Sequence, residues 1–143
     1  MKDPKVIRAW GRFFAQMHKM SRKYEIEHPG IAKKTQNLEE VHCAILAGTK
    51  WHPDDRAVMN DPEHFGVIHG DLNCSNIHYV DDGDYLSVFD TDQVQRGFYL
   101  FDLAQAIIAL PMLEEGGLPV SGDKVEGVDQ KMFIEAMIEG YES

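Results

Sequence analysis

Val6, Trp10, Phe13, Phe14, Met17 and Met20 recur every three or four positions, with Arg8, Arg12, Gln16 and Lys19 between them. That period places them on one side of a helix, so the chain is predicted to open on an amphipathic helix of about four turns or more whose apolar stripe is core. The run from His28-Pro29-Gly30 to Lys34 breaks the period. Asn37 with Glu40 three positions on has the form of a capping box, predicting a helix that buries Leu38, Val41, Ile45 and Leu46 and stops at Gly48. Pro53 followed by Asp54 and Asp55 opens a third predicted helical stretch around Arg56 to Met59.

Near residue 66 the period shortens. Val67-Ile68 is a short apolar extended piece, and Ile77 to Val80 and Tyr85 to Phe89 are runs rich in strand-forming residues. Between those two runs lies Asp81-Asp82-Gly83-Asp84, whose composition suits a hairpin turn. After Gly97 the chain turns helical again, and Leu100, Phe101, Leu103, Ala104, Ile107, Ile108 and Leu110 predict a buried helix ending near Pro111. Gly116-Gly117 to Gly127 is predicted as a loop. Asp129 caps a last helix carrying Met132, Phe133, Ala136, Met137 and Tyr141. No repeat or low-complexity tract interrupts this order, which describes a mainly helical α+β chain with one small hairpin.

Size and charge narrow the possibilities. With 143 residues, 43% of them hydrophobic, the chain can bury one continuous core, so residues 1–143 are read as a single domain. Its 24 acidic against 14 basic side chains leave a net charge of −10. A field of that sign repels phosphate backbones and anionic lipid, which argues against nucleic acid and membrane as partners. A cationic or neutral small molecule, or a polyanion held through Mg²⁺, stays compatible, since a divalent ion inverts the electrostatics of an acidic cleft. No apolar run approaches the ~18 to 20 residues of a bilayer-spanning helix, and Met1 to Trp10 interleaves charge with apolar residues, so a cytoplasmic location is expected. Cys43 and Cys74 have neither C-x-x-C spacing nor the number for a disulfide framework and are read as free thiols. The seven histidines show no zinc-binding spacing.

The residues with chemical potential collect around the hairpin. His69-Gly70-Asp71-Leu72-Asn73-Cys74-Ser75-Asn76 places a carboxylate and a carboxamide five positions apart in a loop that ends where a strand begins, and Phe89-Asp90 closes the returning strand. A hairpin therefore delivers both sets of polar groups to one edge. Asp71 can accept a proton from a hydroxyl nucleophile, while Asn76 and Asp90 offer the hard oxygens that Mg²⁺ takes alongside phosphate. That is the minimum for phosphoryl transfer, where positioning and charge neutralisation carry most of the catalysis.

His69-Gly70-Asp71 with Asn76, then Val88-Phe89-Asp90, then Phe101-Asp102-Leu103-Ala104, resembles the aminoglycoside phosphotransferase and choline kinase superfamily of protein-kinase-like small-molecule kinases. The resemblance runs from about Trp10 to Tyr141. It implies a catalytic base at Asp71, metal ligands at Asn76 and Asp90, and dependence on ATP and Mg²⁺. Asp92 is either an accessory group reaching the metal through water or a solvated or capping carboxylate. His69 is implied to fix the loop as a hydrogen-bond donor. Asp102 corresponds to a buried helix carboxylate that ties down the catalytic loop, against the simpler reading of a helix N-cap. Met17-His18 resembles a Leu-His pair that packs at the end of the first long helix. In place of the Phe of the protein-kinase D-F-G motif, Thr91 follows Asp90.

Two departures shape the expectations. Nothing before Trp10 supplies a glycine-rich strand-turn-strand or a strand Lys with a helix Glu, the parts that cover ATP phosphates in kinase-like enzymes. Gly117 to Lys124 is not a phosphate loop, because Pro119 and Asp123 interrupt it and no strand precedes it. The chain is thus expected to be a C-lobe core lacking the N-lobe and the later helices, with weak ATP affinity on its own. Some of the apolar surface carried by Trp10, Phe13, Phe14, Met132, Phe133 and Met137 is expected to be left bare, leading to self-association or recruitment of an N-lobe partner, unless the terminal helices fold back and seal the core. Three functions compete: an ATP- and Mg²⁺-dependent kinase acting on the hydroxyl of an aminoglycoside, amino alcohol, homoserine or sugar; a noncatalytic kinase-derived binding or regulatory module; and an unrelated hydrolase using Asp71 and His69. The retained Asp71, Asn76 and Asp90 favour the first. The third lacks a visible nucleophile and oxyanion site.

Overall fold

A computed structural model of the chain describes residues 3–30, 61–114 and 129–143. The expected helices after Asn37 and Pro53, the pair His42-Cys43, and the stretch containing Gly116, Lys124 and Gly127 lie outside these residues.

The first helix, α1, runs Pro4–Glu27. Asp3 starts it by accepting from the Lys5 N–H at 2.8 Å, and Pro4 adds a φ already suited to the first turn. Its buried face is Ile7, Trp10, Gly11, Phe14, His18 and Ser21. This corrects the expected stripe: Met20 is exposed, and a glycine, a histidine and a serine at helical spacing turn inward instead. His18 and Ser21 each have a hydrogen-bond partner, so burial does not leave them unsatisfied, whereas the buried Trp10 indole N–H has none among the described residues.

Against α1 packs α3, Gln130–Glu142, capped by Asp129, whose carboxylate accepts from the N–H groups of Lys131 and Met132. The Trp10 and Phe133 rings meet edge to face at 5.9 Å, with Phe14 stacked beside Trp10. Each of these rings, at most 1% exposed, contributes about 2 to 3 kcal/mol by leaving water. Two glycines allow the close approach. A Cβ at Gly11 would collide with the Met137 carbonyl, and one at Gly140 with the Arg8 carbonyl. The expectation of bare surface at these aromatics and methionines is therefore overturned: Trp10, Phe14, Phe133 and Met137 are buried, and Phe13 and Met132 pack half-buried against them. The two helices bury each other's apolar stripes.

Two small antiparallel ribbons lie beside this pair. Strand β1, Phe65–Ile68, pairs with β4, Gln95–Phe98, in the register Phe65 with Phe98 through Ile68 with Gln95. Strand β2, Ile77–Val80, pairs with β3, Tyr85–Val88, with Ile77 opposite Val88. The acidic turn works as expected: Asp81–Gly83 form one 3-10 turn and Asp84 adopts a left-handed conformation. β4 is an addition to the expected elements. It is tied to α1 by Arg96, which reaches Glu25 through two N–H donors at 3.1 and 3.2 Å and lies over the Phe65 ring.

From β4 the chain enters α2, Tyr99–Glu114. The helix passes through Pro111 rather than ending there. A proline keeps a helical φ and, within the last turn, removes only one backbone hydrogen bond. Leu72, Leu86 and Ala106 join the α1–α3 core, so the loop, the hairpin and α2 rest on one hydrophobic cluster. Among the described residues, no helix is long and apolar enough to cross a membrane.

Candidate functional site

Residues 69–76 leave β1 and are held from several sides. Asp102, three residues into α2 and fully buried, accepts from the Gly70 N–H on Oδ1 at 2.8 Å and from the His69 N–H on Oδ2 at 3.0 Å. It lies inside the helix, so it is not the N-cap. The Gln105 side chain adds a long contact to the Gly70 carbonyl at 3.4 Å. Gly70 has φ +83°, and a Cβ there would collide with the Gln93 carbonyl oxygen, so only glycine fits between the loop and the β4 approach. Leu72, with no exposed surface, pins the other side of the turn into the core.

Within that frame the loop is cross-braced. The Asn76 carboxamide donates to the Asp71 carbonyl at 2.8 Å, and the Asn73 carboxamide donates to Asp71 Oδ1 at 3.0 Å. Asn73 Oδ1 in turn accepts from the Ser75 N–H and hydroxyl, which winds Cys74–Asn76 into a 3-10 turn. With its N–H₂ used on the loop, Asn76 turns its oxygen the other way, 3.2 Å from the Ser75 hydroxyl, whose one hydrogen goes to Asn73 at 2.6 Å.

The hairpin brings the returning strand back to this loop. The Phe89 N–H donates to the Asn76 carbonyl at 2.9 Å, continuing the β2–β3 register by one pair. His69 is buried and its Nε2 lies 3.2 Å from the Phe89 carbonyl. A carbonyl only accepts, so Nε2 carries the hydrogen. Asp90 follows with φ +58°, the left-handed conformation that turns its side chain out of the strand. Its carboxyl pKa is raised above the ordinary value, first by a hydrogen bond and charge repulsion from Asp92, then by desolvation and by the charge of Asp71, with His69 opposing. Asp71, Asn76, Asp90 and Asp92 thus gather at the open end of the hairpin, with Asp71 and Asn76 braced and Asp90 and Asp92 exposed.

The donor set is all oxygen. Among the described residues no group of three or more His, Cys, Asp or Glu side chains is placed to hold a metal ion. The oxygens of Asn76 and Asp90 are of the kind that suit Mg²⁺, which keeps several waters and takes one or two carboxylates plus phosphate oxygens rather than a full protein cage. Crowded carboxylates at Asp90 and Asp92 are what such a cation would relieve.

The sequence had assigned His18 to packing. It is fully buried, but its Nε2 lies 3.1 Å from Asp102 Oδ2 and its Nδ1 3.1 Å from the Tyr141 hydroxyl on α3. Asn73, which braces Asp71, was also missed. The available signal for His18 was a polar residue inside an apolar helical stripe, matched by a second one, Asp102, inside the apolar α2. Two buried polar groups on two apolar faces call for each other.

Compared with solved structures, the fold is kinase-like. The chain is similar to amicoumacin kinase hAmiN in its complex with AMP-PNP, Ca²⁺ and Ami, with a TM-score of 0.65 and 19% identity, over 99% of this chain and 43% of that one. It spans less than half the length of that kinase. No family model matches the chain, and no curated protein does.

Proposed function

We propose that this chain is the C-lobe-like part of an ATP- and Mg²⁺-dependent phosphotransferase acting on the hydroxyl of a small molecule, in the manner of the aminoglycoside phosphotransferase and choline kinase superfamily. The observation that carries the reading is the gathering of Asp71, Asn76 and Asp90 where Phe89 pairs with Asn76, on a fold similar to a kinase's. Asp71 is the base, taking the hydroxyl proton as the oxygen attacks the γ-phosphorus of ATP, while the bond from that phosphorus to the β–γ bridging oxygen breaks and ADP leaves. Asn76 Oδ1 and the Asp90 carboxylate would hold Mg²⁺, with Asp92 accessory to it. When bound, that ion supplies charge neutralisation for the transferred phosphoryl group. His69 and Asp102 support the site without touching substrate. Acceptors of aminoglycoside, amino-alcohol, homoserine or sugar type all suit this chemistry, and the net charge of −10 leans toward a cationic one.

The test is Mg²⁺-dependent phosphoryl transfer from ATP to a panel of amino alcohols and aminoglycosides, with wild type beside Asp71→Asn. Loss of the base is expected to lower turnover about 10²- to 10⁴-fold. Equal rates for the two refute the assignment of Asp71. Mg²⁺-dependent nucleotide binding without turnover on any acceptor selects the noncatalytic module instead. Mg²⁺ binding is also expected to weaken in acid, because the raised Asp90 carboxyl takes up its proton at a higher pH than an ordinary aspartate.

A further inference from the structure

A three-part chain crosses the molecule from its last helix to the loop. The Tyr141 hydroxyl meets His18 Nδ1, His18 Nε2 meets Asp102, and Asp102 receives the N–H groups of His69 and Gly70. Hydrogen-bond roles along it are constrained. Main-chain N–H groups only donate, and one faces each oxygen of Asp102, which therefore acts as acceptor at both. The carboxylate is acceptor toward His18 as well, so Nε2 carries a hydrogen.

Nδ1 is then the open choice, and among the described residues Tyr141 addresses it. The His18 ring is stacked on Tyr99 at 4.4 Å and on Phe14 at 5.9 Å, which fixes its plane but not its protonation. The Tyr141 hydroxyl, 3.1 Å from Nδ1, is the group that meets that nitrogen. As donor to a bare Nδ1 or as acceptor from an Nδ1–H, the hydroxyl satisfies that nitrogen and holds the ring in place. Without that hydroxyl, a fully buried Nδ1 has no partner among the described contacts, and a buried unpaired nitrogen favours rotation or rearrangement of the ring.

We propose that Tyr141 is a positioning residue for the His69–Asp71 loop: its hydroxyl fixes the His18 ring through Nδ1, and His18 sets the orientation of Asp102 beneath the two loop amides. The coupling joins elements 123 positions apart in the sequence, α1 and α3, to a loop that neither α3 nor Tyr141 touches through a direct hydrogen bond. As a role in catalysis it rests on the phosphotransferase reading; as a coupling it stands alone.

The experiment reads nitrogen and amide resonances, and so needs no turnover. In wild type, the His18 ring is expected to carry a hydrogen on Nε2, and a ring with a bare Nε2 overturns the proposal. Tyr141→Phe, which removes only the oxygen, is expected to shift the His18 Nδ1 resonance and to move the His69 and Gly70 amide protons upfield as their bonds to Asp102 weaken. Unchanged His69 and Gly70 amides overturn it. His18→Gln keeps a donor for Asp102 but disconnects Tyr141, so adding Tyr141→Phe in that background is expected to leave both amides where His18→Gln alone put them. An undiminished effect there overturns the route through His18. If the coupling is found and phosphoryl transfer is not, the function fails and the proposal survives; the reverse result separates them the other way.

Discussion

Replacing Asp102 by Asn changes one atom and leaves the shape, yet it cannot satisfy the groups around it. Oδ1 receives one donor, the Gly70 N–H, while Oδ2 receives two, from His69 and His18. If the Asn N–H₂ takes the Oδ1 place, it faces the Gly70 N–H, donor against donor. In the Oδ2 place it faces the His69 N–H, and changing the His18 tautomer relieves only the histidine. Every arrangement therefore strands one backbone N–H in a site with no exposed surface. Losing a hydrogen bond to a charged acceptor costs ~1.5 to 3 kcal/mol, and an orphaned buried donor lies in a similar range. For a chain of this size, 1 kcal/mol moves Tm by roughly 3 to 4 °C, so Asp102→Asn is expected to lower it by roughly 5 to 12 °C. Calorimetry with a parallel urea titration measures this, and a shift in midpoint at constant m-value would show that stability itself has changed. An unchanged Tm refutes the anchoring of the loop by Asp102.

Gly140→Ala gains up to ~1 kcal/mol in helix propensity but drives a methyl group into the Arg8 carbonyl, and overpacking of rigid backbone costs about 1 to 3 kcal/mol, so net destabilisation is expected in urea melts; a neutral or stabilising result refutes the close helix contact. Tyr79→Phe removes the 2.8 Å donor to Asp84, the first cause of that carboxyl's lowered pKa, and NMR titration is expected to find Asp84 moved back toward the ordinary aspartate value. The sign follows: a lowered carboxyl stabilises the fold above its unfolded pKa and loses that contribution as pH falls through the folded one, so the stability gap between wild type and Tyr79→Phe is expected to narrow in acid. A gap independent of pH refutes this.

What the sequence revealed divides along the range of the interactions. The hairpin was legible because its signals are local: β-rich runs flanking Asp81-Asp82-Gly83-Asp84 need only each other. The β1–β4 ribbon was not, since Gln95 and Arg96 alternate no apolar face and their partners lie some thirty positions earlier, so nothing nearby announces the pairing. For α1 the length and the presence of an apolar side were readable, but its orientation was not. Gly11, His18 and Ser21 face inward for reasons that belong to other elements: the backbone of α3, Asp102, and the Val67 N–H that donates to the Ser21 hydroxyl at 2.8 Å. At the site, the bracing of Asp71 by Asn73 and the contact between Asp90 and Asp92 each span only two positions, yet they depend on which way the side chains turn, and residue type and spacing do not give that.

The β1–β4 register has a topological consequence. Ile68 and Gln95 are the last pair of that ribbon, so residues 69–94 leave and rejoin the scaffold at one point, like a bag drawn shut at its neck. Every group gathered at the hairpin mouth lies inside the bag, while Asp102, the peg that holds its opening, lies outside. Once the neck is closed, extra residues at the Asp81–Asp84 tip add little closure entropy, because that term grows only with the logarithm of the contour. The drawn length is nonetheless stitched to the helices, because Leu72 and Leu86 pack in the α1–α3 core while Lys5 and Arg12 of α1 hold Asp81 and Asp84, so a change at any of these four points is felt by α1.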